Sequence, residues 1–259
     1  MKDSHEDALI TTRRDFGRKS IQTLLTVSLL EHLCSSNLLA KEARLTTEKW
    51  LSQVNEIGLS MKDQQLKQTQ WQTQVEDLLS NQIDLPELLK LINFEAIAKN
   101  PKLMNNGARS HRPRTPKLQG GPERYVFGQQ IFALRKGCSV VPHGHNNMAT
   151  AFLILKGNFH GRHYDRITDE EKHMIIKPTI DSKFVPGQSS SISDEKDNVH
   201  WFKAEDEPAF IFNIHVFGVS PKNKKRTSRV YLDPFGEKLD DGLIRARLID
   251  HDEAHKKFG

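Results

Sequence analysis

Cysteine is scarce in this chain of 259 residues, which contains only Cys34 and Cys138. Loss of the segment around Cys34, as after removal of an export signal, would leave one cysteine and exclude an intramolecular disulfide. We therefore expect a fold that does not depend on disulfides and that tolerates an oxidising compartment. A chain of this length can bury a full hydrophobic core as one or two domains.

Long apolar runs and basic patches are scarce as well. The apolar stretch at residues 21–30, "IQTLLTVSLL", is too short to span a bilayer, and Cys34 is not set in a lipobox. We therefore expect no stable membrane anchor. The net charge of +5 is spread along the chain, and no aromatic residues are interleaved with the densest basic cluster. We expect no nucleic-acid partner and interpret this cluster as a solvated loop formed by Lys222, Lys224, Lys225 and Arg226.

The N-terminal segment carries a different signal. In "TTRRDFGRKS" the adjacent Arg13 and Arg14 precede the apolar stretch at residues 21–30. This arrangement resembles a twin-arginine export signal, which directs a folded protein across a membrane. The resemblance implies a signal peptide over residues 1–43 and a periplasmic or exported protein. The alternative is an amphipathic N-terminal helix with adjacent arginines by chance, and the protein would then be cytoplasmic.

Helical spacing dominates residues 44–100, the second predicted region. Trp50, Val54 and Ile57 recur at helical spacing, and Gly58 marks a predicted break. A second helix is predicted over residues 84–100, with Asp84 as its cap. We interpret this region as a helical subdomain packed against a core rather than as a coil that binds a partner. Residues 101–122 are rich in Pro, Gly, Asn and Arg, which predicts a linker or a loop laid over the next domain.

From residue 123 onward the pattern is typical of strands. Short segments rich in β-branched and aromatic residues alternate with turns, and a helix is predicted only at the C-terminal "DEAHKKF". Many short strands without intervening helices indicate a sandwich or a barrel over residues 123–259. The predicted strands are "RYVFGQQIFALR", "ATAFLILKGNF", "MIIKPTI", "SSSISD", "NVHWFKA" and "PAFIFNIHVFGV".

Three histidines in this region are candidate metal ligands. His143 and His145 are two residues apart, so on a strand both imidazoles point to one face, about 7 Å apart at the backbone. His200, on a later predicted strand, is the third candidate. Three neutral imidazoles leave coordination positions open, an arrangement suited to a redox metal that binds a substrate and oxygen.

The segment around the first two histidines resembles the first motif of the cupin superfamily. Five residues separate Gly137 from His143-x-His145, and Gly157 lies at the matching distance downstream. Thr150 occupies the position of the acidic ligand of ordinary cupins. The second motif is partly present, with "PGQ" at residues 186–188 followed by His200. The resemblance covers about residues 123–220 and implies a double-stranded β-helix (jelly-roll) barrel.

The missing acidic ligand indicates a subgroup of this superfamily. A three-histidine site is similar to that of the thiol dioxygenases related to cysteine dioxygenase, and "NIHVFGVSP" resembles their late motif. This resemblance implies Fe(II) bound by His143, His145 and His200, with His215 hydrogen-bonding near the metal. The family's tyrosine is replaced by Phe217 in this chain, and the family's carboxylate-binding arginine has no counterpart. The resemblance therefore implies a small thiol or a related substrate, together with O2.

Several alternatives remain open at the level of sequence. Imidazole ligands also accept Ni, Mn or Zn, so the metal is not determined by ligand type. The cupin fold hosts many chemistries, which leaves a non-catalytic small-molecule-binding protein and a metal-dependent isomerase as rival hypotheses. The oligomeric state is not indicated by any pattern.

The remaining candidate residues are interpreted as structural. His160 and His163 fall on opposite faces of a strand, so at most one could join a site, and we expect both to be exposed or satisfied by neighbours. We expect Cys138 to be a small core residue and Trp201 to cover the core. The charged stretch "DEEKH" at residues 169–173 is typical of a solvated turn.

Overall fold

The computed structural model describes residues 47–113, 115, 122–220 and 227–259. The predicted export signal, with Arg13, Arg14 and Cys34, and the basic cluster at residues 222–226 lie outside the described residues. Within the described part of the chain, no helix is both long enough and apolar enough to cross a membrane.

Among the described residues, four α-helices and one π-helical turn precede the strands that form the sheets, and one α-helix follows them. The Asp84 side chain accepts a hydrogen bond from the Glu87 backbone N–H at 3.3 Å, which confirms the predicted cap. The helices are α1 (Thr47–Lys62), α2 (Gln68–Asp77), α3 (Leu85–Leu91), α4 (Phe94–Lys99) and α5 (His251–Phe258), and the π-helical turn is Leu78–Gln82.

Two details of the helix prediction are wrong. The single helix predicted over residues 84–100 is divided into α3 and α4, because Asn93 adopts a left-handed conformation with φ 50°. Gly58 does not break a helix but lies inside α1. A Cβ atom at this position would lie 2.8 Å from the Val126 side chain, so glycine allows α1 to pack closely against the segment before the sheet.

Eleven strands follow in the described residues, and every pairing between them is antiparallel. One sheet has the order β1-β2-β9-β4-β7, and the others form a closed barrel in the order β10-β11-β6-β5-β8-β3. The strands are β1 (Arg109–His111), β2 (Phe127–Leu134), β3 (Ser139–Asn146), β4 (Met148–Lys156), β5 (Phe159–Asp169), β6 (His173–Phe184), β7 (Ser189–Ile192), β8 (Val199–Ala204), β9 (Ala209–Phe217), β10 (Ser228–Lys238) and β11 (Ile244–Leu248).

Eight of these strands form a jelly roll. The four-strand sets β2-β9-β4-β7 and β3-β8-β5-β6 enclose one hydrophobic cluster, in which Phe152 of β4 contacts Phe202 of β8 with ring centroids 5.0 Å apart. This strand order is that of a double-sheet jelly roll. The predicted mainly β fold, a jelly-roll barrel with an N-terminal helical region, is therefore confirmed.

Three strands were not predicted. β1 lies in the segment that was interpreted as a linker, where it pairs with β2 over three residues. β10 contains Asp233, Pro234 and Gly236, which are typical of turns rather than of strands, and β11 is the short segment Ile244–Leu248. The pairing of β10 with β3 closes the second sheet into a barrel.

Alternation along the first sheet assigns its side chains to two cores. In β2, Ile131 and Ala133 pack with the helices, whereas Phe132 and Leu134 point into the jelly roll. The helical region therefore covers the outer face of this sheet. The inner face of the same sheet presents Thr150 and His215 to the opposite sheet, where the predicted metal ligands lie.

Candidate metal centre

Strand register brings the three predicted ligands together. His143 of β3 is paired with His200 of β8, and His145 is two residues further along β3 on the same face. A bulge between Val140 and His143 shifts the register of these two strands, so that both Val140 and His143 point into the jelly roll. Two neighbouring strands thus supply all three imidazoles.

The three imidazoles form one compact, buried group. One nitrogen from each ring lies within 4.8 Å of the corresponding nitrogens of the other two. The ring centroid of His143 is 4.7 Å from that of His145 and 4.3 Å from that of His200. None of the three residues is more than 3% exposed. This spacing is suited to a single metal ion bound by three histidines.

The pKa values of the three ligands favour the neutral, metal-binding form. Burial, with a smaller contribution from Arg229, lowers the pKa of His143 to about 3. Burial likewise lowers the pKa of His145 and of His200 well below the ordinary value, and neighbouring histidines add to the effect. The imidazoles are therefore unprotonated at neutral pH, with lone pairs available to a metal.

Hydrogen bonding also fits a metal at this position. The Nδ1–H of His143 donates to the Val141 carbonyl oxygen at 2.7 Å, which leaves Nε2 as the free nitrogen. The buried Nδ1 atoms of His145 and His200 have no hydrogen-bond partner among the described residues. A buried nitrogen without a partner is costly, and a bound cation would compensate part of this cost.

Thr150 and His215 form a hydrogen-bonded pair on the opposite sheet. The two residues are directly paired between β4 and β9, and Thr150 Oγ1 lies 3.0 Å from His215 Nδ1. His215 Nε2 lies 3.3 Å from the Gln130 side-chain oxygen, so its N–H donates there and Nδ1 accepts from the threonine hydroxyl. Burial, followed by the charge of Arg229, lowers the pKa of His215 to about 4. Thr150 therefore positions His215 rather than contributing a carboxylate ligand.

The expectation for His163 is wrong. His160 and His163 do lie on opposite faces of β5, and His160 pairs with Asp181 near the surface. His163, however, is fully buried and points into the jelly roll, where it is paired with His200 at a centroid distance of 6.4 Å. Its Nδ1 atom has no hydrogen-bond partner in the part of the chain that the structure describes, and its Nε2 atom is 3.4 Å from Ser190 Oγ. The spacing of the two histidines predicted that they lie on opposite faces of β5. It did not indicate that the face of His163 is the buried one.

Two further residues near the centre were missed because β10 was not predicted. Arg229 is paired with His145, and Tyr231 is paired with His143, at a ring centroid distance of 5.7 Å. The alternation in "SRVYL", in which these two residues flank Val230, is the signal that could have found them. A cavity of about 220 Å³ is bordered by Arg229, His145 and His215.

The other structural expectations agree with the structure. Cys138 is buried in the jelly-roll core, with its Sγ 3.5 Å from the Asn105 carbonyl oxygen. Trp201 is buried on the outer face of the second sheet, between Phe258 at 5.3 Å and the Arg162 guanidinium at 4.8 Å. In the charged stretch at residues 169–173, Asp169 ends β5, His173 begins β6, and residues 170–172 form the turn between them.

Comparison with known proteins gives distant structural matches. No family model matches the chain, and no curated protein matches it. Among solved structures, the 11S globulin of Wrightia tinctoria is 12% identical over 40% of this chain and 22% of that chain, with a TM-score of 0.31. Procruciferin of Brassica napus is 13% identical over 40% of this chain and 23% of that chain, with a TM-score of 0.30. The pro-11S globulin of pumpkin is 15% identical over 49% of this chain and 28% of that chain, with a TM-score of 0.34.

This chain therefore matches less than a third of the length of each of these globulins. At such identities and TM-scores the matches carry no argument about function. The assignment of the jelly roll depends on the strand order and register described above.

Proposed function

We propose that this protein is a metal-binding cupin that acts as a non-haem Fe(II) dioxygenase on a small thiol or a related substrate. The observation that carries the proposal is the convergence of three buried, neutral imidazoles within 4.8 Å, while the position of the usual acidic ligand is occupied by Thr150. His143, His145 and His200 would hold the iron. Ni, Mn or Zn would fit the same nitrogen ligands.

Bound iron would supply the redox chemistry toward O2, and the chain would supply the geometry. The hydrogen bond from Nδ1–H of His143 to Val141 orients its ring and keeps Nε2 available. Phe152 packs 4.9 Å from His200 on the inner side and excludes water from that part of the centre. On the opposite sheet, the His215 N–H is directed to Gln130, so that Thr150 and Gln130 hold the ring from both sides.

The side chain at position 217 distinguishes this centre from that of the thiol dioxygenases, in which a tyrosine occupies the corresponding position. Phe217 provides no phenol and is 44% exposed at the edge of the cavity. A hydrogen bond or a thioether crosslink from a tyrosine is therefore excluded at this position. The proposal accordingly names a small thiol as the substrate class and does not depend on free cysteine.

Metal analysis tests the first half of this proposal. We expect about one iron per chain in protein purified with Fe(II), because three imidazoles converge on one position. His145→Ala should lose the metal, whereas His160→Ala, which changes a histidine on the outer face of β5, should retain it. Wild-type protein that binds no metal under these conditions would contradict every enzymatic hypothesis for this site.

Oxygen consumption tests the second half. We expect iron-loaded wild-type protein to consume O2 in the presence of at least one member of a panel of small thiols, and His145→Ala to consume none. Metal-loaded protein that consumes no O2 with any thiol would instead favour the non-catalytic binding protein or the isomerase.

A further inference from the structure

The C-terminal helix carries two histidines one turn apart, outside the three-histidine centre. His251 and His255 of α5 belong to the segment "HDEAH" and are four positions apart. Residues at this spacing are neighbours on one face of a helix, and zinc-binding helices use it to bring two imidazoles to one ion. The helix is anchored by Ala254 and Phe258, which are buried. The pair therefore lies on a fixed element of the fold.

The two rings lie at the separation that a shared ion requires. Their centroids are 4.4 Å apart, and their planes are inclined by 34°. With a metal–nitrogen distance of about 2.1 Å, two imidazoles at neighbouring positions on one ion have centroids roughly 4.5–5 Å apart. In the three-histidine centre the corresponding distances are 4.3, 4.7 and 5.3 Å. The pair on α5 has the same spacing as the ligands predicted there.

Asn106 fixes the tautomer of His255. The Asn106 Nδ2 atom donates to the His255 carbonyl oxygen at 2.9 Å, so its Oδ1 atom is the one that faces the ring. The Nδ1–H of His255 donates to this oxygen at 3.3 Å, which leaves the lone pair on Nε2. Burial, with smaller contributions from His251 and Arg229, lowers the pKa of His255. The ring is therefore unprotonated at neutral pH.

A carboxylate holds His251 in the same tautomer. The Nδ1–H of His251 donates to Asp252 Oδ1 at 2.9 Å. An oxygen acceptor behind the ring is the usual support of a metal-bound histidine, and both rings of the pair have one. Neither Nε2 atom has a hydrogen-bond partner in the part of the chain that the structure describes. The His251 side chain is 61% exposed, so an ion can reach it from the solvent.

Acidic groups offset part of the positive charge near the pair. Arg229 lowers and Asp252 raises the pKa of His255, so these two charges act on the ring in opposite senses. Lys257, two residues after His255, forms an ion pair with Asp233. A bound cation would thus lie beside the Asp252 carboxylate rather than among uncompensated positive charges.

We propose that His251 and His255 bind one divalent ion of the late first-row transition metals, Cu(II), Ni(II) or Zn(II), at a surface site separate from the three-histidine centre. Two neutral nitrogen ligands suit these ions, whereas Mg(II) and Ca(II) prefer oxygen. Water would complete the coordination. Cu(II) should bind most tightly of the three.

Titration of the full, untagged chain with Cu(II) tests this site. We expect His251→Ala and His255→Ala each to bind about one Cu(II) per chain fewer than the wild type. Asn106→Ala should keep the stoichiometry and weaken this copper about 10–100-fold, because the support of His255 is lost. The matched control is His173→Ala, which removes a partly exposed histidine at the start of β6 and should bind copper as the wild type does.

Electron paramagnetic resonance separates this site from the buried centre. In His145→Ala, which lacks a ligand of that centre, the remaining copper should show two imidazole nitrogens, and the added change His255→Ala should abolish this signal. Equal copper stoichiometry in the wild type, His251→Ala and His255→Ala would overturn the assignment. A loss in one of these two variants alone, an equal loss in His173→Ala, or unchanged affinity in Asn106→Ala would also contradict it.

Discussion

Replacing His163 with phenylalanine tests how the buried imidazole affects stability. His163 is fully buried, stacks on Phe184 at a centroid distance of 6.3 Å and lies edge-to-face with Phe202 at 5.5 Å. Burial, with a smaller effect of Lys196, lowers its pKa from the ordinary 6.5 to about 3. The unfolded chain therefore binds a proton at this position at a higher pH than the folded chain does.

The sign and size of the effect follow from these two pKa values. Stability is lost as the pH falls below about 6.5, and the loss stops near pH 3, where the folded state also becomes protonated. Each pH unit between these values corresponds to about 1.4 kcal/mol. At pH 4.5 the wild type has thus lost about 3 kcal/mol through His163 alone, whereas at pH 7.5 it has lost almost nothing.

His163→Phe removes this titration. At pH 7.5 two packing effects oppose each other. Removing a buried nitrogen that has no hydrogen-bond partner among the described residues gains about 1–3 kcal/mol, and the larger ring costs a similar amount. The free energy of unfolding of the variant relative to the wild type should therefore rise by about 3 kcal/mol between pH 7.5 and pH 4.5, whatever the packing balance is at pH 7.5.

Urea denaturation of metal-free protein, followed by circular dichroism at both pH values, measures this difference. Phe184→Leu is the matched control, because it alters the same packing without removing an ionisable group. Its destabilisation should be equal at pH 7.5 and pH 4.5. If His163→Phe also shows the same difference from the wild type at both pH values, the folded-state pKa of His163 is not lowered and the reasoning is refuted.

Two further substitutions test the packing and the support of the centre. Gly161→Ala should destabilise the fold by about 1–3 kcal/mol in urea denaturation. The added Cβ would lie 2.5 Å from the Phe184 ring and 2.8 Å from the Phe202 ring. Unchanged stability would contradict this close packing. Asn198→Ala should lower metal affinity about 10–100-fold in competition with a chelator. The reason is that the Asn198 side-chain amide donates to the His145 carbonyl at 3.0 Å and accepts from the His145 backbone N–H at 3.3 Å. Wild-type affinity in this variant would show that the support of His145 by Asn198 is dispensable.

The local parts of the site were predictable because they depend on residues close in sequence. The His143-x-His145 spacing places two imidazoles on one strand face, whatever the rest of the fold is. The cap at Asp84 follows equally from its immediate neighbours. The division of the second helix at Asn93 was missed, since helical spacing continues through it and only the left-handed backbone reveals the break.

What the sequence by itself determined is therefore the strand character, the shared face of the first two histidines and a third candidate at His200. Only the tertiary structure decided which strands pair. It pairs His200 of β8 with His143 of β3 on one side and with His163 of β5 on the other. It also pairs Arg229 of β10 with His145 of β3. These partners come from strands far apart in the chain, and their register depends on long-range packing and on the bulge in β3. A shift of one residue in that register would turn every one of these side chains to the other face of its sheet.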